Sequence, residues 1–325
     1  MIAGGDHRDQ AQPAGGDHPE PARPEDDLHA QQVERAELLV EMLPYISRWR
    51  GKVVVVKFGG NAMVDTALTD GFAADMVLLR QIGLAPVVVH GGGPQIGDLM
   101  ARLGKTSEFR DGLRVTDAET LDIARMVLVG KVNRDIVGAI NVHGPLAVGI
   151  SGEDGRVITA TARNPDLGFV GEVTDVNTDL LERLLAEGLI PVISTIGADA
   201  KGQAYNINAD TVAGAVAAAL EAEKVVYLTD VAGLLDDVDN PDSLVQRTTA
   251  DSLAARLASG TIAGGMIPKI EACISAVRNG VNSAHLLDGR VPHVVLVELF
   301  TDAGVGTMIT RDRPTALQTG HSPDR

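Results

Sequence analysis

Four consecutive β-branched apolar residues, Val53-Val54-Val55-Val56, have no polar face. Such a run predicts a strand covered on both sides, as in a parallel sheet. It continues into Lys57-Phe58-Gly59-Gly60-Asn61, and a second unit, Val87-Val88-Val89-His90, runs into Gly91-Gly92-Gly93-Pro94. Residues 67–81 between them read as a helix. A helix over 95–103 places Ile96, Leu99, Met100 and Leu103 on one face, with Gly104 as its stop. Thr116-Asp117-Ala118-Glu119 is a capping box opening a helix that runs past Lys131. Short runs at 146–150, 156–160 and 169–175 predict strands, expected as hairpins over the sheet edge. A helix at 180–186, a strand at 190–194, an alanine-rich helix at 209–221 and a buried strand at 224–229 follow. Helices near 252–258 and 270–278 and strands near 284–287 and 306–310 complete the series. This alternation predicts a doubly wound α/β fold with an open, mostly parallel central sheet.

The pattern differs ahead of the first strand. Residues 1–30 repeat Gly-Gly-Asp-His among Pro, Gln and acidic residues, a composition expected to be a disordered tail. Over 31–50 Val33, Leu38, Leu39, Met42, Leu43 and Ile46 approach helical spacing, predicting an amphipathic helix that Pro44 breaks or kinks. The core is expected over 51–312, in lobes of about 51–200 and 201–312 on one sheet, with a tail over 313–325. The net charge of −16 argues against nucleic acid as a partner. Cys273 is the single cysteine and reads as a buried structural thiol. With no membrane-length apolar run and no basic-plus-apolar leader, the expected location is cytoplasmic.

A lysine at the carboxyl end of a buried strand, followed by glycines that let backbone approach a ligand, suits a phosphate. Ligands of open α/β sheets bind at that edge, so two glycine-rich turns there predict a site for an anionic, phosphate-bearing substrate. Arg114 suits a bidentate grip on a carboxylate, and Asn206 can both donate and accept. Asp210 opens the alanine-rich helix, where an acid complements the helix dipole. No Gly-x-Gly-x-x-Gly follows the first strand, which disfavours a Rossmann dehydrogenase. Asp237-Val238-Asp239-Asn240-Pro241-Asp242 reads as a solvated acidic turn, and no metal site on the protein is predicted.

Five motifs in order carry a family resemblance: Lys57-Phe58-Gly59-Gly60-Asn61, His90-Gly91-Gly92-Gly93-Pro94-Gln95, Gly112-Leu113-Arg114-Val115-Thr116, Asn206-Ile207-Asn208-Ala209-Asp210 and Gly264-Gly265-Met266-Ile267-Pro268-Lys269. Together they resemble the amino acid kinase family over residues 38–310. The resemblance implies a three-layer α/β/α sandwich that phosphorylates the γ-carboxylate of N-acetyl-L-glutamate with ATP, in arginine biosynthesis, with Mg2+ accompanying the nucleotide. It implies that Lys57 and Lys269 are the transition-state lysines, held by Asp210, and that Gly92, Gly93, Arg114 and Asn206 bind substrate. It assigns the nucleotide to Gly59, Gly60, the loop Asp230, Val231, Ala232, Gly233, Leu234 and Leu235, and Thr261, Ile262 and Ala263. The preceding helix and the segments Ala284-His285-Leu286-Leu287-Asp288-Gly289-Arg290 and Glu298-Leu299-Phe300-Thr301 resemble the arginine-inhibited branch. That implies L-arginine as inhibitor at Tyr45, His285, Glu298 and Gly304, and a homo-oligomer, a hexamer through N-terminal helices. The alternatives are a kinase of the glutamate 5-kinase type, which the absence of a C-terminal regulatory domain counts against, and a catalytically inactive arginine sensor. Such a sensor is expected to lose catalytic charges, whereas Lys57, Asp210 and Lys269 are all present.

Overall fold

The computed structural model describes residues 24–110, 112–262, 264–301 and 304–311. The chain divides after Pro44 into two units. The first contains helix α1 (Pro24–Glu41). The expected tail to residue 30 is therefore too long: Pro24, with φ already suited to a first turn, opens a helix inside it. Residues 1–23 and the expected C-terminal tail lie outside the described residues. Val33, Leu38, Leu39 and Val40 of α1 are all exposed. The helix stops at Met42, and α2 (Leu43–Trp49) restarts with Pro44 in its first turn, where a missing N–H costs nothing.

The second unit runs through β1 (Val53–Phe58), α3 (Thr66–Gln81), β2 (Ala85–His90), α4 (Gly93–Arg102) and the short pair β3 (Phe109–Arg110) and β4 (Leu113–Arg114). Next come α5 (Ala118–Arg125) and α6 (Asn133–Asn141), joined without a break by a π-helical stretch, Met126–Val132. Then follow β5 (Ala147–Ser151), β6 (Ile158–Ala162), β7 (Gly171–Val176), α7 (Asp179–Ala186), β8 (Ile190–Ser194), β9 (Ile196–Ala198), β10 (Ala204–Asn206) and α8 (Ala209–Ala219). The last part holds β11 (Lys224–Thr229), β12 (Arg247–Thr249), α9 (Ala250–Ala258), α10 (Met266–Arg278), β13 (Ser283–Asp288), α11 (Val294–Phe300) and β14 (Thr307–Thr310).

Eight strands form the main sheet in the order β12-β14-β13-β11-β1-β2-β8-β5. All neighbours are parallel except β13 and β14. Val54, Val55, Val56 and Phe58 are buried on both faces of β1, as the unbroken apolar run demands. Helices α8 and α10 pack together on one side, and α3 and α6 on the other. This is a three-layer α/β/α arrangement.

A second sheet, β10-β9-β6-β7, carries the expected hairpin as β6 and β7. The run at 146–150 is not a hairpin: β5 is the parallel edge strand of the main sheet, paired with β8. Its partner lies some forty residues downstream, and such non-local pairing leaves no turn signature in the sequence. Helix α11 had no period-3.6 signal in its nearly all-apolar run, and burial of Val294, Val295, Leu299 and Phe300 makes it helical.

Gly214 sits inside α8, where glycine costs about 1 kcal/mol against alanine. A Cβ there would stand 2.9 Å from the Tyr227 hydroxyl and 3.3 Å from the Ala272 carbonyl, so close packing of β11, α8 and α10 requires the vacancy. Gly214→Ala should therefore lower stability by about 1–3 kcal/mol despite its better helix propensity. Urea denaturation should show that Tyr227→Phe, by removing the hydroxyl, restores most of that loss.

Candidate active site

The carboxyl ends of β1 and β2 and the amino ends of α8 and α10 converge. Asp210 Oδ1 lies 3.1 Å from Lys57 Nζ, and Asp210 Oδ2 lies 3.3 Å from Lys269 Nζ. Asn208 caps α8, its Oδ1 accepting the Asp210 N–H at 2.7 Å, which fixes the carboxylate in the first turn. Lys57 and Asp210 are buried, 7% and 4% exposed, so their ion pair is shielded from screening, while Lys269 is half-buried. Burial pushes the Asp210 pKa up, but the two ammonium groups outweigh it and hold the carboxyl below its ordinary value. A buried ion cluster adds little stability, so its retention points to chemistry.

Two glycines shape the turn after β1. A Cβ on Gly59 would stand 2.8 Å from Lys57 Nζ, because the lysine folds back over this residue. Gly60 adopts φ +71°, and a Cβ there would stand 2.8 Å from Asp230 Oδ1. Asp230 thus leans on the β1 turn from the end of β11.

Beside the triad lies a cavity of about 220 Å³ lined by Gly92, Gly93, Arg114, Leu128, Asn206 and Asp210. The Arg114 guanidinium donates to the Gly93 carbonyl at 2.9 Å and to Ser107 Oγ, and it stacks over Phe109 at 4.7 Å. Asn206 Nδ2 donates to Thr116 Oγ1 at 3.3 Å. Leu128 comes from the π-helical stretch; a Cβ on Gly92 would stand 2.6 Å from its Cδ2, so glycine is required there sterically. Lysine and arginine around a concave surface suit an anion.

On the nucleotide side expected from sequence, the loop after β11 is anchored by Leu234, whose N–H donates to Thr307 Oγ1 at 2.8 Å. Gly233, at φ +152°, leaves only 2.7 Å between a Cβ and the same Thr307 Oγ1. Leu234 and Ile262 are buried, Leu235 is bridged to Leu244, and Val231, Ala232 and Thr261 are exposed. The two buried side chains belong to the hydrophobic core. Ala263 lies outside the described residues.

The residues expected to bind arginine collect elsewhere, at the amino ends of β11 and β13. Glu298 Oε1 lies 2.9 Å from His285 Nδ1 and 3.5 Å from Lys224 Nζ, and His285 Nε2 accepts from Ser283 Oγ at 2.9 Å. Burial pushes Glu298 up, but His285 and Lys224 hold it below the usual carboxylate range. Tyr45 meets Phe300 edge-to-face at 6.5 Å, and Trp49 Nε1–H donates to the Leu299 carbonyl at 2.7 Å. Gly304 is exposed next to Val305, whose N–H reaches Glu298 Oε2 at 3.5 Å. Lys224 and Trp49 escaped the sequence reading, since a strand-start lysine and a lone tryptophan carry no motif.

Asn133 carries no motif either, and His90 stands in one with no role expected of its side chain. Both are fully buried. His90 Nδ1–H donates to the Gly91 carbonyl at 2.9 Å, and Asn133 Nδ2 donates to His90 Nε2 at 3.1 Å. Asn133 lies mid-helix without local signal; only the fold brings it under β2.

Residues 52–288 match the amino acid kinase family, and the chain belongs to that family. Its relatives include the acetylglutamate kinase of Methanocaldococcus jannaschii, 50% identical over 294 residues, covering 87% of this chain and 98% of that one. The acetylglutamate kinase of Acidothermus cellulolyticus is 54% identical over 294 residues, with the same coverage of 87% and 98%. Among solved structures, N-acetylglutamate synthase from Neisseria gonorrhoeae, complexed with coenzyme A and N-acetyl-glutamate, superposes with a TM-score of 0.74 at 29% identity. That match covers 88% of this chain and 66% of the synthase, so the chain spans just under two thirds of the synthase's length. Carbamate kinase from Giardia lamblia bound to AMP-PNP shares the fold, with a TM-score of 0.59 at 18% identity, covering 81% of this chain and 99% of that one.

Burial pushes the His90 pKa from 6.5 down to about 4, outweighing the Gly91 carbonyl that favours the protonated ring. The unfolded chain therefore takes up a proton below pH 6.5 that the folded protein refuses until about pH 4. Stability should fall across that window, by on the order of 3 kcal/mol in total for this residue. Denaturation midpoints measured from pH 7 to 4 should show a shallower acid slope for His90→Asn, which has no ring to protonate.

Proposed function

We propose that this protein transfers the γ-phosphoryl group of ATP to the γ-carboxylate of N-acetyl-L-glutamate, forming N-acetyl-L-glutamyl 5-phosphate in arginine biosynthesis. The observation that carries this reading is the Lys57–Asp210–Lys269 triad, centred on a buried carboxylate, beside the Arg114-lined anion cavity. Relatives that are half identical over nearly their whole length are acetylglutamate kinases, which fits the same reading.

In this reaction a carboxylate oxygen forms a bond to the γ-phosphorus as the bond to the β–γ bridging oxygen breaks, releasing ADP. The carboxylate is already ionised at neutral pH, so no general base is needed. The residues must bring two anions together and neutralise the charge that develops. Lys57, rising from β1 between the glycine turns, faces the transferring group; Lys269, at the start of α10, serves the nucleotide side. Asp210 keeps the two ammonium groups apart and aimed. Arg114 takes the α-carboxylate of the substrate, and Asn206 its amide.

Among the described residues no three His, Cys, Asp or Glu side chains gather into a metal cage. Mg2+ would arrive with ATP, and Asp230, beside Gly60, would be the protein carboxylate to hold it at that edge. When bound, the ion neutralises phosphate charge.

Arginine inhibition is supported by the second cluster. Glu298 already pairs with the Lys224 ammonium and the His285 imidazole, and a guanidinium is a bidentate alternative to them. Assembly through α1, as a hexamer, is supported by its exposed apolar residues Val33, Leu38, Leu39 and Val40, which a second copy would cover. No helix among the described residues is long and apolar enough to cross a membrane, and a cytoplasmic location fits the proposed metabolite substrates.

ATP consumption with N-acetylglutamate, glutamate and aspartate measured side by side should show turnover with the first only. Lys57→Ala and Lys269→Ala should each lower kcat at least about a hundredfold in folded protein. Arg114→Lys should chiefly raise KM for N-acetylglutamate, because lysine cannot make the planar double contact. Glu298→Ala and a chain starting at Gly51 should keep kinase activity and lose most arginine inhibition, and the shortened chain should sediment as a smaller oligomer. Unchanged sensitivity in both would remove the inhibitor site from this cluster.

A further inference from the structure

Gly91, Gly92 and Gly93 line the cavity, but nothing in a run of glycines orients their peptide units. A peptide unit between two glycines flips at little steric cost, since neither side carries a Cβ. The structure fixes this one from outside. The Gly91 N–H donates to the Phe58 carbonyl at 3.0 Å, tying the turn to the end of β1. The Gly91 carbonyl accepts from His90 Nδ1–H at 2.9 Å. Because the peptide is planar and trans, holding the Gly91 C=O on the His90 side points the Gly92 N–H the opposite way.

The imidazole is itself clamped. Its Nε2 accepts from Asn133 Nδ2 at 3.1 Å, and the same amide nitrogen gives its second hydrogen to the Val192 carbonyl of β8 at 2.9 Å. Asn133 Oδ1 accepts from the Arg134 guanidinium, so the amide cannot turn over without losing three partners. This chain of contacts fixes the Nδ1–H tautomer. Burial keeps the ring neutral above about pH 4, so the arrangement persists across the physiological range.

We propose that His90, clamped by Asn133, is a positioning residue for phosphoryl transfer: it aims the Gly92 N–H at an oxygen of the transferring group. The proposal rests on the kinase reading above. It makes the glycine turn a preorganised donor, and misaiming such a donor costs rate rather than ground-state affinity.

The amide nitrogen of asparagine can take the place of imidazole Nδ1, whereas that of glutamine takes the place of Nε2. His90→Asn should therefore keep the bond to Gly91 and retain kcat within about threefold, while His90→Gln and His90→Phe lose at least about tenfold in kcat with KM for ATP unchanged. Wild-type kcat in the Gln or Phe variant, or an Asn variant as slow as Phe at equal thermal stability, overturns the assignment. In the unaltered protein, nitrogen-15 NMR of the histidine side chains should find the Nδ1–H tautomer for His90, and an Nε2–H tautomer also overturns it. If the unaltered protein does not phosphorylate N-acetylglutamate, the kinase reading has failed, and the tautomer alone decides whether His90 orients the turn.

Discussion

Lys57 and Lys269 carry like charges, come from a strand and a helix more than two hundred positions apart, and meet at one buried carboxylate. Without Asp210 the two ammonium groups would repel each other in a poorly screened site; with it, each is held within about an ion-pair distance of a common point. The rest of the local architecture serves that arrangement. Asn208 starts α8 at the position that presents Asp210, and β1 delivers Lys57 from a strand buried on both faces. Close packing of α8 against α10, which Gly214 allows, sets the height at which Lys269 arrives.

The glycines around the cavity answer to different constraints. Gly59 yields to its own neighbour Lys57, Gly60 to a left-handed turn against Asp230, and Gly92 to Leu128. Leu128 reaches Gly92 because the helix from α5 to α6 widens into a π-helical stretch at that point. An alanine would therefore displace the Lys57 ammonium at Gly59, strain the backbone at Gly60 and push on Leu128 at Gly92. The turn that looks most permissive, Gly91 to Gly93, is held from below by a buried histidine and asparagine.

The Glu298 cluster lies at the opposite end of β11 from Asp230 and the glycine turns. Lys224 begins β11, and Asp230 follows its last residue; His285 is near the start of β13. Parallel strands buried on both faces transmit displacement with little slack, because close-packed interiors do not deform continuously. Through Leu299 and Phe300, α11 also contacts Trp49 and Tyr45 of α2. Glu298, on α11, thus ties β11 and β13 to α2 through Lys224, His285, Trp49 and Tyr45.

The sequence by itself determined the parallel core and the glycine-turn edge of the sheet. Val53–Val56 and Val87–Val89 have no polar face, and glycine turns after buried strands can only sit at the sheet's carboxyl end. It determined the start of α8 as well, because Asn208 and Asp210 are local capping chemistry. Tertiary structure alone decided that β5 joins the main sheet, since parallel pairing with β8 has no local signature. It also made the apolar run over α11 a helix by burying one side of it. The clamp of Asn133 on His90, the reach of Leu128 to Gly92 and the pairing of Glu298 with Lys224 link residues 43, 36 and 74 positions apart. Such pairs depend on which elements become neighbours, and that is set by burial across the whole sheet rather than by any residue's immediate context.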